Sequence, residues 1–144
     1  MWQFLQAIIF GGTLLVTPAP VDIGSGWSEV QLKEPLKALN SGAALEIDVT
    51  SLFPPTKPDG HDAVDRILAV AKRLPHGCVE ARLVTKGQSG LSISNIAESA
   101  SATQTFLILS RADGVGTDQQ FSGLSVRASC PISAVKIYWR NFSK

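Results

Sequence analysis

The side chains from which chemistry could be built are few. His61 and His76 are the two histidines, with Asp62 beside the first. A hydrolase or lyase built on them would need a nucleophile or base oriented by a third group. The two histidines bracket one amphipathic stretch, so they stand at opposite ends of the same element. No Gly-x-Ser-x-Gly elbow, Walker loop or dinucleotide fingerprint occurs. His-x-x-x-His and Cys-x-x-Cys are also missing, so zinc chemistry has no ligand set. Asp113 and Asp118 share a Gly-containing loop that offers two carboxylates, too few for an EF-hand-type calcium loop. The sequence therefore predicts no catalytic residue, no metal and no cofactor.

Cys78 and Cys130 are the only cysteines. Each stands at the end of an expected strand, and a disulfide between them would close a loop of about fifty residues, worth ~4 kcal/mol by chain entropy. Two unpaired buried thiols are the alternative. The one surface that reads as a binding site is basic and aromatic. If Trp139 faces the core, Tyr138 faces outward beside Lys136 and Arg140, because neighbours on a strand point to opposite faces. Arg127 joins them if the two C-terminal strands form a hairpin. Such a group could stack on a sugar or meet an anionic partner. An amphipathic tyrosine on a solvated strand is the simpler alternative. Asn141-Phe-Ser143 also matches an N-glycosylation triplet.

The elements that would position these groups are mostly strands. Leu124, Val126, Ala128 and Cys130 alternate with Ser125, Arg127 and Ser129, and Val135, Ile137 and Trp139 alternate with Lys136 and Tyr138. That period of two predicts a hairpin across Pro131. Further strands are expected at Trp27–Leu32, Ala44–Ser51, Cys78–Thr85, Leu91–Ile96 and Thr105–Ser110. Residues 61–74 are the one soluble amphipathic helix, with Val64, Ile67, Leu68, Ala71 and Leu74 on its inner face and Pro75 ending it. The fold class is mainly β: an antiparallel β-sandwich of about seven strands, with a partly open barrel as runner-up.

Residues 1–19 are uncharged and largely apolar, and read as a signal peptide or N-terminal membrane anchor in helical form. Export has two counter-indications: no Lys or Arg precedes the apolar run, and Pro20 follows the best small-residue site, Thr17-Pro18-Ala19. Residues 20–26 read as a Pro/Gly/Ser linker and 27–144 as the domain. A length of 144 residues fits one domain. The net charge of +1 gives no steering toward nucleic acid. Acids crowd residues 22–65 and bases the C-terminal strands, a pattern that neighbouring strands of opposite charge would satisfy.

Together these features predict a non-catalytic, extracytoplasmic binding or accessory module of a cell-envelope system, periplasmic or membrane-anchored. Its partner would be a glycan or another envelope protein, not nucleic acid. It would meet the membrane through the N-terminal segment if that segment is not cleaved. Two alternatives remain: a small hydrolase or lyase with a cleft beside helix 61–74, and a subunit of a membrane assembly packing through the N-terminal helix.

Overall fold

The computed structural model describes residues 13–39, 42–85, 90–111, 115 and 119–141. Residues 1–12 of the expected N-terminal helix lie outside these residues, as do Asp113 and Asp118 of the loop and Phe142 and Ser143 of the glycosylation triplet. The strands are β1 (Thr13–Leu15), β2 (Val21–Ile23), β3 (Ser28–Val30), β4 (Leu36–Ala38), β5 (Ala43–Asp48), β6 (Val79–Val84), β7 (Leu91–Ala100), β8 (Thr105–Ser110), β9 (Gln119–Phe121), β10 (Gly123–Ala128) and β11 (Ile132–Asn141). Among the described residues there is one helix, α1 (Ala63–Arg73), between β5 and β6.

The chain is mainly β and antiparallel. Its main sheet runs β1-β11-β5-β8-β7-β6-β10-β3, with β2 also paired to β11, and β4 and β9 form a separate two-stranded ribbon. The strands expected to divide between two stacked sheets thus follow one continuous ladder. The sheet curls until its ends meet at one corner. There the Ala128 N–H donates to the Gly24 carbonyl at 2.8 Å, bringing β10 back to the segment that follows β2. A single curled sheet buries its concave face on itself, so each strand still needs only one apolar face. Leu45, Ile47, Leu83, Leu107, Leu124 and Ile137 point into that interior and are fully buried.

The expected C-terminal hairpin is corrected. β10 pairs with β3 and β6, whereas β11 pairs with β1, β2 and β5, so four strands separate the two arms. Ser129, Cys130 and Pro131 carry the chain across the open end of the curl instead of turning it back. Both arms read correctly as strands. Their alternation says which side is buried, and it says nothing about which neighbour each one takes. The charge asymmetry finds its partners: β11 lies beside β5, with Lys136 opposite Asp48, and Arg140 meets Glu46 at 3.4 Å.

The expected domain boundary at Trp27 also shifts. β1 lies within the stretch read as leader and β2 within the stretch read as linker. Thr13, Leu14 and Leu15 register with Arg140, Trp139 and Tyr138. The Val16 N–H then donates to the Ile137 carbonyl, and the Ile137 N–H donates to Thr17 Oγ1, both at 2.8 Å.

The disulfide between Cys78 and Cys130 is formed, with Cα atoms 5.6 Å apart. It shares one end of the curl with α1. Leu74 and Val70 seat this helix in the core, but its inner face is not the expected one. Val64 and Leu68 are 66% and 63% exposed, while Arg66 is buried. The helix is turned because Arg66 has acceptors on every side. It donates to both Asp62 carboxylate oxygens (3.2 and 3.3 Å), to Thr105 Oγ1 (2.8 Å), and to the carbonyls of Gln104 (3.1 Å) and Ser101. A buried cation is tolerated where its donors are all used. A periodicity count treats every arginine as outward.

The other end of the curl is closed by the β4–β9 ribbon. Trp139 is 2% exposed, packs edge-to-face on Phe121 at 6.0 Å, and donates its indole N–H to the Lys37 carbonyl at 2.9 Å. Buried indoles need that outlet. The expectation that Trp139 is a core residue holds.

Candidate functional site

The four residues expected to form one binding surface fall on two parts of the sheet. Lys136, Tyr138 and Arg140 share the outer side of β11. Arg127, on β10, is separated from them by four strands of the ladder and belongs to another group. There it pairs with Glu80 at 3.1 Å, and its guanidinium lies 4.4 Å from the centre of the Trp27 ring. Arg82 places its own guanidinium 4.5 Å from the same ring. A Cβ on Gly90 would come within 2.6 Å of Arg82 Cγ, so glycine at that position gives the Arg82 side chain its path. Trp27 is thus engaged by two cations and is not a bare stacking platform.

Tyr138 is also occupied. It is half-buried, meets Phe106 edge-to-face at 6.0 Å, and stands between Leu15 and Glu46. Burial, and secondarily the nearby Asp48 carboxylate, push its phenol above the ordinary range. Glu46 is buried under this group, and burial raises its carboxyl above the ordinary 4.5 despite the opposing pull of Arg140. An acid with a raised folded-state pKa binds its proton more readily folded than unfolded. Its contribution to stability is therefore greatest below the unfolded value and is lost as pH rises through the folded one. Asp62 has the opposite sign. The Thr56 backbone N–H first, and then Arg66, hold it well below the ordinary 3.8, so its contribution is lost on acidification. Glu46→Gln is expected to flatten the decline in stability that begins above about pH 4.5 and to leave the acid limb unchanged, read by urea denaturation across pH. An unchanged decline would assign it elsewhere.

The groups of the enzyme reading do not converge. His61 is exposed and pairs with Asp59 at 3.0 Å, while Asp62 faces inward to Arg66 and Thr56. His76 pairs with Glu98 at 2.6 Å beyond the other end of α1. The eleven residues of α1 between the histidines span about 16 Å. No group of three or more His, Cys, Asp or Glu side chains able to hold a metal occurs among the described residues.

The feature that sequence reasoning missed is the seam of the curled sheet. One lip is the edge formed by β1, residues 16–20 and β2, all running along β11. The other lip is β3 and the residues after it, running along β10. The lips are joined through residues 24–27 and diverge from there. Among the described residues, no backbone hydrogen bond crosses from one lip to the other. Between them lie two adjoining hollows that share Val16. The first, about 330 Å3, is lined by residues 16–19, Val21 and Asp22 on one lip and residues 28–31 on the other, with Val126 beneath. The second, about 250 Å3, continues between residues 14–16 and the stretch Leu32, Lys33, Glu34 and Leu36. The lining is mainly apolar, and the charged side chains along it are Asp22, Glu29 and Glu34 against Lys33. The seam exists because β2 and β3, consecutive in sequence, pair to opposite ends of the sheet. Pro18 and Pro20, which lack N–H donors, stand in the lip along β11, where a paired central strand would not tolerate them.

No protein-family model matches the chain, and neither a curated protein nor a solved structure matches it.

Proposed function

We propose that the chain is a non-catalytic, extracytoplasmic binding module of a cell-envelope system, and that it binds in the seam of its sheet. The observation that carries this reading is the pair of facing strand edges, with no backbone hydrogen bond between them, above a mainly apolar channel. Strand edges offer a row of N–H and C=O groups, and an extended polypeptide satisfies them by lying alongside. The channel suits apolar side chains alternating along such a strand, and the acidic rim favours Lys or Arg at its flanks. Another envelope protein, entering through an extended segment, therefore fits better than a glycan. The aromatic rings that a sugar would stack on are engaged by Arg82, Arg127 and Phe106. The disulfide supports an oxidising compartment.

Val30→Trp fills the channel from β3. An arrayed set of extended peptides and a glycan array, probed with wild type and with this variant, test the reading. Peptides with an apolar stretch between basic residues are expected to bind wild type and to lose at least tenfold in affinity for Val30→Trp, about 1.4 kcal/mol. A thermal melt checks that the variant folds. Peptide binding that ignores Val30→Trp, or binding confined to glycans, overturns the proposal.

A further inference from the structure

We infer that the end of the sheet bearing Leu15, Lys37, Leu39 and Arg140 lies against an anionic lipid surface, with β1 retained as the strand that links the fold to the apolar segment before it. The inference deepens the tethered form of the reading above; its surface shares Leu15 and Lys33 with the second hollow of the seam, whereas Lys37 and Leu39 line neither hollow and let the two be tested apart.

Retention follows from the pairing of residues 13–17. Cutting at the small-residue site, after Ala19, would remove all of β1 together with the buried Val16 and Thr17. Three registered residue pairs with β11 would go, and so would both partners of the Ile137 backbone. Trp139 and Tyr138 would lose the strand that covers one side of β11. A leader whose removal strips an edge strand from the finished sheet is part of the fold.

Orientation follows from where β1 begins. Residues 2–10 carry no charge, and only Gly11 and Gly12 separate them from Thr13. Thr13 registers with Arg140. Asn141, next along, accepts from the Leu39 N–H at 2.8 Å and donates to the Lys37 carbonyl at 2.9 Å, fixing the β4 segment at the same end. Leu15 and Leu39 are large apolar side chains left 41% and 49% exposed there. Lys33, Lys37 and Arg140 are exposed around them, against Glu34 and the buried Glu46 that takes Arg140. Exposed apolar groups beside a small excess of bases suit a headgroup region carrying negative charge. The opposite end also exposes apolar side chains, Val64 and Leu68, with Asp65 and Lys72 on the same helix, but β1 does not begin there.

Two measurements on the full chain test this. Mass spectrometry of protein isolated from cells is expected to find residues 13–19 still attached; a chain beginning at Pro20 overturns retention. Vesicles of phosphatidylcholine with and without phosphatidylglycerol test the surface. Hydrogen exchange is expected to slow at residues 13–15 and 36–39 on anionic vesicles and to stay unchanged in α1. Lys37→Glu with Leu39→Glu is expected to weaken vesicle binding roughly tenfold or more, from a reversed charge and a lost apolar contact. Val64→Glu with Leu68→Glu is expected to leave it unchanged, and peptide binding in the seam should survive both pairs. Protection of α1 instead, or binding indifferent to Lys37 and Leu39, overturns the orientation.

Discussion

Replacing Cys78 and Cys130 by alanine is expected to lower the stability of the fold by ~4 kcal/mol, the chain-entropy value for a closed loop of this length. The bridge spans 52 residues of sequence, a stretch that holds β6, β7, β8, β9 and β10. Native geometry should survive its loss. The Ser129 N–H still donates to the Cys78 carbonyl and the Ala128 N–H to Gly24, both at 2.8 Å. The effect therefore falls mainly on the unfolded chain, which regains the freedom the bridge removed. Urea denaturation of the double variant and of reduced wild type should give the same midpoint, well below that of the oxidised protein. A difference of less than about 1 kcal/mol would mean that the unfolded chain is already restrained by other means.

Asn95→Ala is expected to cost about 3 kcal/mol or more, an unusual amount for a polar residue in a strand. Asn95 is completely buried on the inward side of β7. Its carbonyl accepts from the N–H groups of Gly77 and Val79, each at 3.0 Å, and its amide donates to the carbonyls of Leu74 (3.2 Å) and Pro75 (3.1 Å). One side chain thus fastens the exit of α1 to the start of β6. Gly77 keeps a second partner in the Asn95 backbone carbonyl, so the Val79 N–H is the donor left without one. Each orphaned buried group costs ~1–3 kcal/mol. Asn95→Asp keeps the acceptor and loses the donors, and should fall between wild type and alanine in a thermal melt. Equal stability of Asn95→Ala and wild type would show that water replaces the amide.

Asn95 also marks what could be read in advance. β5, β6, β10 and β11 were legible because each alternates apolar and polar residues, and β8 because Phe106 to Leu109 form a short continuous apolar run that suits a strand inside a sheet. The disulfide was legible because two cysteines allow one pairing. Pairing order was not legible, since inward alternation in β10 and β11 suits any neighbour. Arg66 and Asn95 were invisible for a related reason: a polar side chain is buried only when partners from distant segments surround it, and those segments meet only in the fold. The basic surface failed by the same route. Arg127 was joined to Lys136, Tyr138 and Arg140 through a hairpin that does not form. The seam has no sequence signature beyond two prolines, because it is defined by the hydrogen bonds that the lips do not exchange.

The place of β11 bears on how the chain reaches its structure. The last strand in sequence lies between the first two strands and β5, so β1 and β2 lack their partner and β5 lacks one of its two until residue 141 is free to join them. Most of the sheet's pairings along this side span about a hundred residues, which places the domain among slow folders dominated by non-local contacts. A chain that emerges from its N-terminus onward would therefore stay open until nearly its full length is available. That delay leaves β1 and β5 exposed to any chaperone that recognises unpaired strands.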